Sequence, residues 1–383
     1  MTVRSANALP RPLADEVILP MEADSLELDT PAVLVDLDVV EGNILRMQAF
    51  ADQEGFRLRP HVKSHKSVAV ARRQLQAGAM GICVSSASEA AAMAASGAED
   101  VLLAYPLVGS RKMDRLDELA VSGRVTVVTD SEFVTEGYSR YAKSLGTVLP
   151  VLVEVDTGMN RVGVDPRSVA TLALDVARSD GLRFAGIMTH AGHAHDVASH
   201  ADIVRVAREE AAIMGAVREE LEALGLEVPI VSAGSTITSP YLRGTDGITE
   251  IRPGTYVYND LRTMGRFACT ADTIAASMLS TVVSINGDRV TVDAGSKTLT
   301  TSRDEVHGYG TVDGFAGAAF TRLSEEHGVF SVAAPSGSIA VGDRVRIRPI
   351  HVCVWMDLQP EVYGVRGGKV VERINVDAMR HSL

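Results

Sequence analysis

From Arg57 onward the chain alternates short apolar runs with helical stretches rich in Ala, Leu, Glu and Arg. The runs are RLRPHVK, GICVSS, DVLLAYP, RVTVVTD, VLPVLVEVD, LRFAGIMTH, PIVSAGS and TEIRPGTYV, eight in all. Their near-continuous Val/Ile/Leu content suits parallel strands buried on both faces and joined by crossover helices. Eight such units within ~200–250 residues are what a closed (β/α)8 barrel requires. An open, doubly wound sheet is the alternative that the same rhythm permits. One more unit, TPAVLVDLDVVEGNILRMQAFADQEG, precedes the first run. Its Val40, Ile44, Met47 and Phe50 recur at helical spacing, and it stands outside the count of eight.

After about Gly265 the rhythm changes to strands without helices: MLSTVVSING, DRVTVDAGS, GDRVRIRPI and the hairpin EVYGVRGGKVVERINV, turning at Gly367-Gly368. The expected organisation is therefore an extended lead-in over residues 1–29, a (β/α)8 barrel over 30–265 and a smaller all-β domain over 266–383. The net charge of −12, from 49 acidic and 37 basic residues, would repel a phosphate backbone and argues against nucleic acid as a partner. Three scattered cysteines, Cys83, Cys269 and Cys353, cannot form a disulfide framework and point to a reducing, cytoplasmic compartment. No stretch has the length and apolarity of a signal peptide or a spanning helix, so neither export nor membrane contact is expected.

In such a barrel the chemistry sits where strands end and loops begin. The first run ends in RPHVKSHKS, two lysines and two histidines within nine residues. The seventh and eighth runs end in SAGST and RPGTY, Gly-Ser/Thr turns at the position where barrels of this kind bind phosphate through backbone N–H groups and hydroxyls. A lysine facing such a turn is what a pyridoxal phosphate Schiff base needs, because a desolvated amine near other cations becomes nucleophilic. Lys63, between His61 and His65, meets that description. Lys66, where the next helix begins, reads as a solvated first-turn residue. His61 and His65 also stand at the i, i+4 spacing of a metal pair, but Pro60 and the strand pattern argue against the helix that reading needs.

With these motifs in place the chain resembles the fold-type III pyridoxal phosphate enzymes of the metal-activated D-serine dehydratase and D-threonine aldolase family, whose barrel is that of alanine racemase. The resemblance runs from TPAVLVDLD at Thr30 to the terminal hairpin. It implies Lys63 as the Schiff-base lysine, with His61 beside it. In VEVDTGMNRVGV it implies Arg161 as the contact to the cofactor's phenolic oxygen. The segments THAGH, SAGST and EIRPGTYVYND imply cofactor contacts from His190, Gly234, Ser235, Thr236, Gly254, Thr255 and Tyr256. In IHVCVWMDL, His351 and Cys353 lie two apart on an expected strand and so share a face, and the resemblance makes them ligands of a divalent metal, zinc before manganese or magnesium.

The implied activity is a lyase on D-3-hydroxy amino acids, of the D-serine dehydratase type. The alternatives are retro-aldol cleavage to glycine and an aldehyde, racemisation, and non-catalytic carriage of pyridoxal phosphate. A homodimer is implied as well. Two departures from the family pattern, Ala194-His195-Asp196 and Val354-Trp355-Met356-Asp357, are expected to lie near the substrate.

Overall fold

The structure, a computed structural model, describes residues 21–24, 27–197, 199–332 and 339–381. The eight apolar runs form one eight-stranded sheet of parallel strands: β1 Arg57–Leu58, β2 Ile82–Val84, β3 Val101–Pro106, β4 Val125–Thr129, β5 Leu149–Glu154, β6 Leu182–Met188, β7 Ile230–Ala233 and β8 Glu250–Ile251. β1 pairs with β8 on one side. On the other it is tied to β2 by Met80 N–H to Leu58 O, Cys83 N–H to Pro60 O and the parallel bridge His61–Cys83. The sheet thus closes on itself, and the doubly wound alternative falls. Side chains alternate in direction along each strand. Val84, Leu103, Val127, Val151 and Ile187 pack against the helices in the main core. Cys83, Leu102, Val128, Leu152 and Met188 form a separate cluster that fills the barrel interior.

The second layer is a sheet of ten strands, and it does not respect the expected boundary at residue 30. Ala32–Asp36 lies inside that sheet, antiparallel to Ala276–Asn286 and parallel to Glu361–Arg366. The chain passes through the second domain first and enters the barrel only through the helix Leu37–Glu54. Asp36 caps that helix, accepting from the N–H groups of Asp38 and Val39. A strand of five residues, four of them fully buried, finds its pairing partners wherever edges are free, and sequence order has no say in that. The expected lead-in is corrected in the same way: residues 1–20 lie outside the described residues, but Met21–Glu22 pairs with Lys369–Val370 at the sheet edge. The hairpin Glu361–Arg366/Lys369–Asn375 turns at Gly367 and Gly368, with φ of 53° and 80°, the left-handed pair that a tight two-residue turn demands.

The strand expected to carry His351 and Cys353 is instead a strand and a helix. Arg344–Pro349 is extended, and Val352–Asp357 is helical with His351 in extended backbone just before it. The helix starts there because the carboxylate of Asp260, far away in sequence, accepts the Val352 N–H at 3.0 Å.

Candidate active site

A cavity of about 500 Å³ opens at the C-terminal ends of the barrel strands, a volume suited to a small ligand. RPHVKSHK does not continue as a strand beyond the barrel. Pro60 has no N–H to give to the ladder, and Val62–Ser64 forms a single 3-10 turn over which the His61 ring accepts the Lys63 N–H at 3.5 Å. That turn directs Lys63 and His61 into the cavity. The other two basic residues leave it. His65 is buried, bonded to Gln74 Oε1 at 3.1 Å and accepting from Ser67 N–H, with its ring edge-on to Tyr258. Lys66, expected in solvent, is buried with its Nζ 2.5 Å from Asp357 of the helix Val352–Asp357. Two cations within four residues are thereby separated, one for the cavity and one for the domain junction.

Ser235, Thr236, Gly254 and Thr255 meet on the cavity wall. Thr236 Oγ1 accepts the N–H groups of both Gly254 and Tyr256, at 3.2 and 3.1 Å, so one hydroxyl stitches the two turns together. Gly254 must be glycine, since a Cβ there would lie 2.9 Å from His61 O and from Ser64 Oγ. Two expected contacts fall elsewhere. Gly234 gives its N–H to Glu210 Oε1 at 3.2 Å, and the Tyr256 side chain is buried away from the cavity, its hydroxyl accepting from Gln74 Nε2.

Arg161 reaches the cavity from the loop after β5. That loop is organised by Asp156, whose carboxylate accepts the N–H groups of Gly158 and Asn160. His190 and His61 are both held well below the usual histidine range, by desolvation first and then by Lys63 and Arg252, so both rings are neutral. The sequence reading assigns no role to three charged cavity residues, although Arg252 stands in the strand-end segment RPGTY. Arg252 is buried and bonded to Ser232 Oγ at 2.5 Å and to Thr189 O. Glu154, a lone carboxylate ending an apolar strand, has its pKa pushed up to about 7 by burial against the pull of Arg252 and Arg161, and its Oε2 has no hydrogen-bond partner among the described residues. Arg262 is the third, and nothing in its sequence context marks it.

His351 and Cys353 line the same cavity. Asp260, wholly buried, lies 3.5 Å from His351 Nδ1 and leaves Nε2 for a ligand. Burial opposes charge on both members of the pair. It is outweighed on His351 by Cys353 and Asp260, which raise its pKa to about 10, and on Cys353 by His351 and Lys63, which lower it. Among the described residues no group of three or more His, Cys, Asp or Glu side chains could hold a metal ion. Of the two departures from the family pattern, only His195 and Asp196 line the cavity. Trp355 and Met356 are buried in the second core, and Asp357 is bound to Lys66.

The donor set fits the implied groups. A lysine amine and hydroxyl-bearing turns without carboxylates suit pyridoxal phosphate. A thiol disposed to ionise beside an oriented imidazole suits a borderline-soft divalent metal. Barrel and site together define a fold-type III pyridoxal phosphate enzyme. The chain belongs to the family described as alanine racemase, N-terminal domain, which matches residues 35–261, and residues 275–365 match a putative serine dehydratase domain. It is a lyase of the branch that holds D-3-hydroxy amino acid dehydratases and aldolases. It is 35% identical over 354 residues to D-threo-3-hydroxyaspartate dehydratase of Delftia sp. (strain HT23), covering 87% of this chain and 93% of that one. The structure of D-threonine aldolase from Filomicrobium marinum superposes with a TM-score of 0.87 at 31% identity, covering 93% and 97% of the two chains. That of a Cys-to-Ala variant of D-threo-3-hydroxyaspartate dehydratase in its metal-free form gives 0.84 at 33%, covering 93% and 98%. Among the described residues no helix is long and apolar enough to cross a membrane.

Proposed function

We propose that the chain eliminates the β-hydroxyl of a D-3-hydroxy amino acid, releasing a 2-oxo acid and ammonia. The carrying observation is the pair His351 and Cys353 on the same cavity wall system as Lys63, with a thiol rather than a carboxylate as the second member. When bound, pyridoxal phosphate acidifies the substrate's α-carbon and a divalent metal polarises its β-hydroxyl. Lys63 would hold the cofactor and, once displaced by the substrate amine, take the α-proton on Nζ. Ser235, Thr236, Gly254 and Thr255 would hold the phosphate, and Arg161 the cofactor's phenolic oxygen. His351 and Cys353 would hold the metal, zinc by their donor chemistry, with Asp260 fixing the imidazole. His61 and His190, held well below the usual histidine range, add no positive charge of their own beside the lysine amine. The family's homodimer is carried over as part of the proposal, and sedimentation of the holoenzyme checks it.

The test is incubation of the pure protein, pyridoxal phosphate and zinc with the D- and L-isomers of serine, threonine and 3-hydroxyaspartate. The expected products are 2-oxo acid and ammonia from D-isomers alone. Glycine and an aldehyde as main products would make the chain an aldolase, inversion without cleavage a racemase, and turnover confined to L-isomers would sink the reading.

A further inference from the structure

We infer that Arg262 receives an anionic group carried on the substrate's β-carbon, so that the site selects a D-3-hydroxy amino acid with a second carboxylate, 3-hydroxyaspartate, over D-serine or D-threonine. This rests on the D-3-hydroxy lyase reading and narrows its substrate.

Arg262 lines the same cavity as His351 and Cys353, and both Arg262 and His351 lie near enough to His195 to act on its charge. Its backbone is tied to the segment that carries the pair. Its N–H donates to Ile350 O at 3.2 Å, and it sits in the first turn of the helix Leu261–Gly265, capped by Asp260 through Thr263 N–H at 2.7 Å. The other oxygen of Asp260 holds the Val352 N–H. One buried carboxylate therefore fixes the position of Arg262 relative to His351.

The guanidinium itself has no hydrogen bond or ion pair among the described residues. The neighbouring arginines are committed: Arg252 to Ser232 and Thr189, Arg266 to the His195 carbonyl at 2.9 and 3.0 Å. Asp260 is consumed by Thr263, Val352 and His351, and Asp196 is exposed and unpaired with it. Arg161 also lacks a side-chain partner among the described residues, but it is exposed and stands on the loop after β5, where the proposed function gives it the cofactor's phenolic oxygen. A half-buried guanidinium beside a small cavity, with its fork free, is a receptor for a planar carboxylate.

The position decides which carboxylate. The pair His351 and Cys353 marks where the β-hydroxyl goes, and any other substituent of that carbon lies next to it, within the reach of a side chain anchored to Ile350. D-Serine offers hydrogen there and D-threonine a methyl group, and either would leave the guanidinium facing an apolar group. Discrimination against a substrate that lacks the matching charge is the strong kind, here reduced by partial solvent access to roughly a hundredfold. The products from 3-hydroxyaspartate are a 2-oxo dicarboxylic acid and ammonia, with water lost and regained.

The experiment compares holoenzyme and Arg262→Gln on D-threo- and D-erythro-3-hydroxyaspartate, D-serine and D-threonine by kcat/KM. Calorimetric binding of D-aspartate and D-alanine, which have no β-hydroxyl to lose, accompanies it. The expected result is a wild-type preference for a 3-hydroxyaspartate of about a hundredfold or more, a ratio that falls by a similar factor in Arg262→Gln, chiefly through KM. Tighter binding of D-aspartate than D-alanine should be lost with it, and Arg262→Lys should restore part of both. Preference for D-serine in the wild type, or an equal proportional loss on all substrates, would overturn the inference while leaving the lyase reading intact. No turnover of any D-3-hydroxy amino acid, with Arg262-dependent binding of D-aspartate preserved, would overturn the lyase reading and leave the carboxylate receptor standing.

Discussion

Lys63 and Lys66 are three positions apart, yet one faces the cavity and the other is bound to Asp357. Reduction with borohydride followed by peptide mapping should therefore place the pyridoxyl group on Lys63, and an adduct on Lys66 would refute the assignment. Cys353→Ala should lower turnover by about a hundredfold or more while the absorbance of bound pyridoxal phosphate persists, since lysine and phosphate contacts are elsewhere. Undiminished activity after exhaustive chelation would contradict that. His65 gives the pH prediction. Burial holds its pKa at about 4, against an ordinary value of 6.5, although Gln74 and Ser67 pull the other way. The unfolded chain thus binds the extra proton first, and the native state loses stability as pH falls from about 6.5 towards about 4. At about 1.4 kcal/mol per unit the loss attributable to His65 approaches about 3 kcal/mol. Urea unfolding at about pH 4.5 and about pH 7.5 should show it, with a shallower acid dependence in His65→Gln.

At the scale of elements, the seam of the barrel is its most exacting joint, because β1 and β8 contribute only two residues each to the ladder. Charge supplements the backbone there. Arg59, wholly buried, bonds Glu250 at 2.9 Å across the seam and Asp100 at 2.8 Å, and Glu250 also accepts from Ser232 Oγ at 2.5 Å. Replacing Glu250 by Ala would leave a buried guanidinium with only the half-exposed Asp100, and a loss of about 3–5 kcal/mol is expected in chemical denaturation. Should Glu250→Ala unfold at the wild-type midpoint, the seam would be held by packing alone. A milder version applies to Lys66 and Asp357, which join the lysine turn to the Cys353 helix. Asp357→Asn should cost about 2 kcal/mol, because Asp357 is partly solvated.

At the scale of the whole molecule, the site belongs to neither layer alone. Lys63, Ser235 and Thr255 come from the barrel, whereas His351 and Cys353 come from the segment that leaves the second sheet. Ala32–Asp36 fills the gap between Ala276–Asn286 and Glu361–Arg366, so deleting the chain through Asp36 should expose both inner strand edges and give an insoluble product. A folded, soluble deletion variant that retains zinc binding would show that the sheet can close without it.

Much of this architecture was legible in the chain. Eight Val/Ile-rich runs with helical spacers determined a parallel sheet covered by helices, closed or doubly wound, since strands buried on both faces admit few other arrangements. Gly367-Gly368 determined its hairpin through backbone sterics alone, and closure was decided by the pairing of β1 with both β8 and β2. The residues at the strand ends, Lys63, His61, Ser235, Thr236, Gly254 and Thr255, could be named because barrels collect their loops at one end. What could not be read were the placements set by partners distant in sequence. Asp260 starts the helix that turns His351 and Cys353 out of an expected strand, Asp357 draws Lys66 out of solvent, and Gln74 takes the Tyr256 hydroxyl away from the cavity. The pairing of Ala32–Asp36 in the second sheet belongs with them. Periodicity is a property of neighbours along the chain, and so it reports which elements form. Which element a buried charge or a free strand edge will meet depends on proximity in space, and only the tertiary structure decided that.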